Sequence, residues 1–358
     1  MGYAGQCTGT WAIAQETATP PGRSATALAR RAAAPVTSRP PVQFPYNNLP
    51  MFSGSLVAIV TPMHSDGSID WPAWERLLQM HLAAGTAGVV IGGTTGESAT
   101  LPESELLQLL ARALPLLQGR VAIIAGAGES STAATVERAR RLSAAGVDGL
   151  LVVTPAYNRP TQEGLFRHFE AVAGASEVPV VLYNVPARTA VDLLPATVAR
   201  LSRLPRIVAI KEAISVGAVE RVRELIAVTE GRLSVLSGDD ASCVEAMLNG
   251  ARGVISVTAN VMPGQMAQLC SAALRGDRSL AQGLDARLAG LHQALFIETS
   301  PIPVKWALAE LGWIGQGIRL PLTPLSAACH AQVRAALEAA QPQHPMPARV
   351  GLSEASLA

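Results

Sequence analysis

Ile207-Val208-Ala209-Ile210-Lys211-Glu212 opens with four apolar residues, three of them β-branched, and these run directly into a lysine. The run shows no alternation of apolar and polar positions, which is the pattern of a strand buried on both faces, as in a parallel sheet covered by helices. Seven further runs of this kind precede or follow it: Ser55–Thr61, Ala87–Gly92, Val121–Ala125, Gly149–Thr154, Val178–Asn184, Leu233–Ser237 and Gly253–Val257. They recur with a period of roughly 25 to 35 residues, and the stretches between them carry helical periodicity, as in Pro102–Gln118 and Thr132–Ala145. Eight such β/α units within about 220 residues predict an α/β fold of the closed (β/α)8 TIM-barrel type rather than an open doubly wound sheet. An open sheet would also be expected to carry a G-x-G-x-x-G fingerprint after its first strand, and none is present.

After the eighth run the pattern is helical only, with Pro263–Arg275, Arg278–Phe296, Pro301–Leu311 and Leu325–Ala339 as the expected helices. The expected organisation is a catalytic barrel over 51–276 and an appended C-terminal helical region over 277–340. Residues 341–358 read as a disordered tail. Residues 1–50 are rich in Ala, Thr, Ser, Pro and Arg, contain Glu16 as their single acid, and read as a disordered extension. An acid-poor, Arg-bearing leader resembles an organelle transit peptide, but upstream translation from a misassigned start has the same composition, with Met51 as the natural start.

The chain is 49% apolar and 15% charged with a net charge of +1, so bulk electrostatics does not point to a polyanion partner. The four cysteines, Cys7, Cys243, Cys270 and Cys329, form no C-x-x-C pair, which argues against a disulfide framework and a zinc site. No apolar run approaches the roughly 18 residues of a membrane span. The expectation is a soluble protein in a reducing compartment.

Against 26 arginines the chain has two lysines, Lys211 and Lys305. An amine can lose its proton and attack a carbonyl, whereas a guanidinium stays charged. Lys211 at a strand end is therefore either a residue left by codon drift or a nucleophile. Lys305 falls on a helix that Pro301 and Pro303 would open, away from the strand ends, and reads as a surface or packing residue. In a barrel, reactive groups collect where strands end. There the sequence places Gly93-Thr94-Thr95-Gly96-Glu97 after strand 2, Tyr157 after strand 4, Tyr183 with Arg188 at strand 5, Lys211 at strand 6, and Gly238 after strand 7. Tyr157 and Tyr183 are the only tyrosines of residues 51–358. The Gly-Thr-Thr-Gly turn offers N–H groups and hydroxyls to a carboxylate or phosphate, although a capped glycine turn has the same appearance. Arg188 suits a second carboxylate. A phenol beside an amine can shuttle the protons of carbinolamine formation and dehydration. Burial favours the neutral amine, and Glu212, on the opposite face of the strand, need not oppose that. Lys211 is thus expected to form a Schiff base with a ketone.

At these residues the chain resembles the dihydrodipicolinate synthase family of the pyruvate-dependent class I aldolase superfamily. The resemblance runs from Met51 to about Ala340. It rests on GTTGESATL (93–101), TPAYNRPTQEGL (154–165), YNVPART (183–189), IKEA (210–213), LSGDDAS (236–242), GVISVTANV (253–261) and PIPVKWA (301–307). It implies a lyase that condenses pyruvate with L-aspartate 4-semialdehyde in the diaminopimelate route to lysine, without metal or organic cofactor. By the same resemblance Lys211 forms the imine, and Thr94, Tyr183 and Tyr157 form a proton relay, Tyr157 crossing a dimer interface. Thr95 holds the pyruvate carboxylate, Gly238 and Ile255 line the site, and Arg188 binds the semialdehyde carboxylate. It further implies a cytoplasmic homotetramer, a dimer of dimers, or an organelle protein if residues 1–50 are a transit peptide. N-acetylneuraminate lyase and 2-keto-3-deoxy sugar acid aldolases share the imine step, and a non-catalytic keto-acid-binding barrel is the reading from another class.

Where lysine-inhibited relatives bind free lysine, Ser98 and Ala99 match. Glu103 and Leu106 stand where histidines occur, Ser130 replaces an Asn, Ala134 a Glu and Ala156 a Tyr. Lacking the carboxylate and the phenol, this sequence is expected to respond weakly or not at all to lysine.

Overall fold

The computed structural model describes residues 52–341. The expectations for residues 1–50, and for the tail beyond Gln341, lie outside the described residues. Eight parallel strands close into a barrel in sequence order: β1 Gly54–Ala58, β2 Gly88–Ile91, β3 Ala122–Gly126, β4 Gly149–Val153, β5 Val180–Asn184, β6 Ile207–Glu212, β7 Ser234–Ser237 and β8 Gly253–Ser256. β8 pairs with β1, so no edge is left.

The helices are α1 Trp71–Ala83, α2 Glu103–Leu117, α3 Thr132–Ala144, α4 Gln162–Ala175, α5 Pro186–Thr189, α6 Pro195–Leu201, α7 Ala218–Thr229, α8 Cys243–Leu248 and α9 Pro263–Leu274. Beyond them come α10 Arg278–Ala294, α11 Ile302–Glu310 and α12 Ala327–Ala340, which form the C-terminal helical region. Side-chain caps start several of them. Asp70 accepts from the Ala73 N–H at 3.0 Å, Thr161 from Gly164 at 3.2 Å and Asp277 from Leu280 at 3.1 Å. Among the described residues no helix is long and apolar enough to cross a membrane.

All eight expected strands are present, with ends that agree to within three residues. β1 stops at Ala58 instead of Thr61, because the Asn260 side chain takes over the next backbone groups: its Oδ1 accepts from the Val60 N–H at 3.0 Å and its Nδ2 donates to the Ala58 carbonyl at 2.9 Å. β5 begins at Val180 because Pro179 has no N–H to donate, although its carbonyl still accepts from the Leu150 N–H of β4 at 2.9 Å.

Two apolar layers result. Outward-facing strand residues pack against the helices in the larger core, which includes Trp74, Phe169 and Leu109. A smaller inner cluster fills the barrel with Leu56, Val90, Ile124, Val181, Leu236 and Ile255, among others. Phe52 belongs to it and closes the N-terminal end: a Cβ on Gly149, the first residue of β4, would lie 2.8 Å from the Phe52 ring.

β6 carries an irregularity that decides what it presents. Val180 pairs with Ile207, but Val181 pairs with Ala209, so β6 holds one extra residue, Val208. Beyond this bulge Ala209 faces the barrel interior and Ile210 the helices. Lys211 therefore points inward and Glu212 outward.

Candidate active site

Lys211 lies in register with Tyr183 of β5 on one side and Leu236 of β7 on the other. Both the lysine and the tyrosine are almost wholly buried, at 5% and 6% exposure. The Lys211 Nζ stands 4.4 Å from the centroid of the Tyr183 ring, so the phenol covers the amine from the neighbouring strand. Gly238, just past β7, makes room on the other side. A Cβ there would meet the Cβ of Ala213 at 2.6 Å and the Cε of Lys211 at 2.9 Å. Its N–H donates to the Glu212 carbonyl at 2.7 Å, which holds the two backbones together. Ile255 is fully buried in the inner cluster that also contains Tyr183.

Behind this pair, on the outer face of β5 and β6, lies a buried polar cluster. Asn184 Nδ2 donates to both oxygens of Glu212, at 3.0 and 3.1 Å, and to Asp192 at 2.7 Å. Arg221 from α7 binds Asp192 through both terminal nitrogens, at 3.1 and 2.8 Å, and lies 3.5 Å from Glu212. Burial pushes the Glu212 carboxyl up to about 7, against the opposing pull of Asn184 and Arg221. The cluster ties β5 and β6 together directly behind Tyr183 and Lys211. Its charge is separated from the amine by the strand itself, as the alternation of side chains implied.

The other expected residues stand at the same end of the barrel on separate loops. Thr94 and Thr95 form a short 3-10 turn with Gly96 directly after β2, with Thr95 buried. Arg188 is on the single turn of α5, exposed, with its guanidinium donating to the Ser300 carbonyl at 3.1 Å. Tyr157 does not join the inner cluster. It is 97% exposed, on a backbone with φ 73°. That left-handed geometry costs about 1 kcal/mol or more for a side-chain-bearing residue. The loop is braced around it: Ser130 Oγ donates to the Ala156 carbonyl at 3.0 Å, and Asn158 Nδ2 to the Ser130 carbonyl at 2.9 Å.

Lys305, read from sequence as a surface or packing residue away from the strand ends, is a packing residue at 3% exposure, and the structure corrects its remoteness: its ammonium is ion-paired with Glu97 of the turn after β2. Burial draws its ammonium below the ordinary lysine value, with the Glu97 carboxylate opposing that pull. The sequence showed the need for a partner but not which one: Ile302 to Leu308 is apolar apart from Lys305, every residue of it is buried, and a lysine on such a helix requires a counter-ion. Among the described residues there is no group of three or more His, Cys, Asp or Glu arranged to hold a metal ion.

The sequence model of the dihydrodipicolinate synthetase family matches residues 51–340. A 4-hydroxy-tetrahydrodipicolinate synthase of Pseudomonas savastanoi pv. phaseolicola is 51% identical over 287 residues, which is 80% of this chain and 98% of the relative. The synthase of Methylococcus capsulatus is 50% identical over 290 residues, covering 81% and 99%. Among solved structures, the chloride-inhibited dihydrodipicolinate synthase from Acinetobacter baumannii complexed with pyruvate aligns with a TM-score of 0.79 at 47% identity. That alignment covers 80% of this chain and 98% of the other. With the closed barrel and the buried lysine at the end of β6, these matches establish that the chain belongs to the dihydrodipicolinate synthetase family of class I aldolase-type enzymes.

Proposed function

We propose that the enzyme condenses pyruvate with L-aspartate 4-semialdehyde through a Schiff base on Lys211. The observation that carries this reading is the Lys211–Tyr183 pair: a buried amine against a phenol ring, with the bare face of Gly238 beside it. The neutral amine attacks C2 of pyruvate, and the carbinolamine loses water to give the imine. Loss of a methyl proton gives an enamine, whose carbon attacks the aldehyde and forms the new C–C bond. The semialdehyde's own amine then displaces Lys211 by transimination, which closes the ring and frees the enzyme. Tyr183 and Thr94, with Tyr157, move the protons. Thr95 and the N–H groups of its turn take the pyruvate carboxylate.

Tyr157 serves this reading as a residue offered to a second copy of the chain, since its ring projects into solvent from a braced, left-handed backbone. We accordingly infer a cytoplasmic dimer of dimers, and sedimentation of the purified protein at single-chain mass would count against it. Weak or absent inhibition by lysine follows from Ala134 and Ala156. The purified protein given both substrates, with product followed through a coupled reductase, tests the function. Absence of turnover with imine trapping intact would favour a sugar-acid aldolase instead. Half-inhibition by submillimolar lysine in the same assay would contradict the lysine prediction.

Arg188 gives a separate test. Arg188→Ala is expected to leave borohydride trapping of pyruvate intact while raising the half-saturating semialdehyde concentration about 10- to 100-fold. Loss of a charge-assisted hydrogen bond has that effect. Equal loss of pyruvate trapping would refute the role.

A further inference from the structure

Glu97 follows the Thr94–Gly96 turn and sits in the left-handed region, φ 61° and ψ 40°, where glycine would be the ordinary occupant. It stays there because every polar group it has is engaged. Its N–H donates to the Thr94 carbonyl at 3.0 Å, and its own carbonyl accepts from the Thr100 N–H at 2.9 Å. One carboxylate oxygen is paired with Lys305 from α11, and the other accepts the Arg319 backbone N–H at 3.0 Å. The Arg319 guanidinium continues outward. It binds both oxygens of Glu105 on α2, at 2.6 and 2.8 Å, the Thr100 carbonyl at 2.8 Å, and the Gly67 carbonyl at 2.8 and 2.9 Å. From the barrel side, Thr61 Oγ1 donates to the Gly96 carbonyl at 2.8 Å. The turn that carries Thr94 and Thr95 is thus gripped by residues more than 200 positions later in the chain.

We propose that Lys305 and Arg319 are positioning residues for pyruvate. Through Glu97 they lock the Thr94-Thr95-Gly96 turn in the form whose hydroxyls and N–H groups meet the substrate carboxylate. The C-terminal helical region thereby completes the active site without touching the reacting atoms. A lysine suits this place because a single compact ammonium meets one buried carboxylate oxygen, whereas an arginine fork would need a second acceptor. Removing the ammonium leaves Glu97 as a buried, half-paired carboxylate on an already unfavourable backbone, so the turn relaxes and pyruvate is held less well.

This inference rests on the proposed imine chemistry, and the test separates the two. Full-length wild type, Lys305→Met and the charge-neutral double variant Glu97→Gln/Lys305→Met are compared by thermal melting, by borohydride trapping across a pyruvate series, and by steady-state kinetics. Both variants are expected to raise the half-saturating pyruvate concentration at least tenfold. Trapping at saturating pyruvate should still reach one adduct per chain, and the half-saturating semialdehyde concentration should move less than threefold. The double variant removes the unpaired charge and should melt close to wild type, so the pyruvate effect is read there even if Lys305→Met does not fold. A folded variant with wild-type pyruvate dependence, or one that loses both substrates equally, overturns the positioning role. Failure of wild type itself to trap pyruvate overturns the imine reading instead.

Discussion

Lys211→Met is expected to gain no mass after pyruvate and borohydride, whereas the parent chain gains one reduced adduct. Methionine keeps the unbranched shape in the slot between the Tyr183 ring and Gly238, and removes only the amine. Turnover is expected to fall by at least three orders of magnitude, the scale on which enzymes lose rate with their nucleophile. The experiment is sharp in this chain because the one other lysine, Lys305, is buried and held by Glu97. An adduct that persists in Lys211→Met would have to sit there or at the N-terminus, and the assignment would be sunk. The fold is expected to survive, because methionine replaces a buried lysine side chain with one of similar length that the apolar neighbours accept.

Gly238→Ala should be nearly as damaging, although it adds only a methyl group. The new Cβ would meet Ala213 at 2.6 Å and the Cε of Lys211 at 2.9 Å. The backbone has little freedom to withdraw, because the Gly238 N–H is bonded to the Glu212 carbonyl at 2.7 Å. The Lys211 chain must give way at its Cε, and the contact with Ala213, two residues on, is relieved only by a backbone shift at the end of β6 that also displaces the lysine. A displacement of about 1 Å at a reacting atom costs on the order of 100-fold in rate. Overpacking at such a point costs about 1–3 kcal/mol of stability, a melting shift of several degrees. We therefore expect kcat to drop about 100-fold with trapping slowed in parallel and the protein still folded. Wild-type kcat in Gly238→Ala would show that the slot is wider than these contacts indicate.

The eight strands and the position of Lys211 at the end of the sixth were legible in the sequence, because parallel strands buried on both faces need continuous apolar runs and their turns need Gly, Thr, Pro and Asn. The opposition of Lys211 and Glu212 was legible too, since neighbours on a strand always point to opposite faces. Which of the two points inward was not. With apolar residues on both sides of β6 no alternation marks the faces, and the extra residue Val208 resets the count between Ile207 and Ala209. Only pairing with β5 reveals that bulge.

The Glu97–Lys305 pair was hidden for another reason. Its partners lie 208 residues apart, and local pattern reports what a residue is, not what it meets. The sequence by itself determined the barrel, the reactive residue types and the strand ends at which they gather. The tertiary structure decided the inward face of Lys211, the clearance at Gly238 and the hold of the C-terminal region on the Thr94–Thr95 turn. Each of these depends on contacts between segments that become neighbours only when the barrel closes and α11 packs.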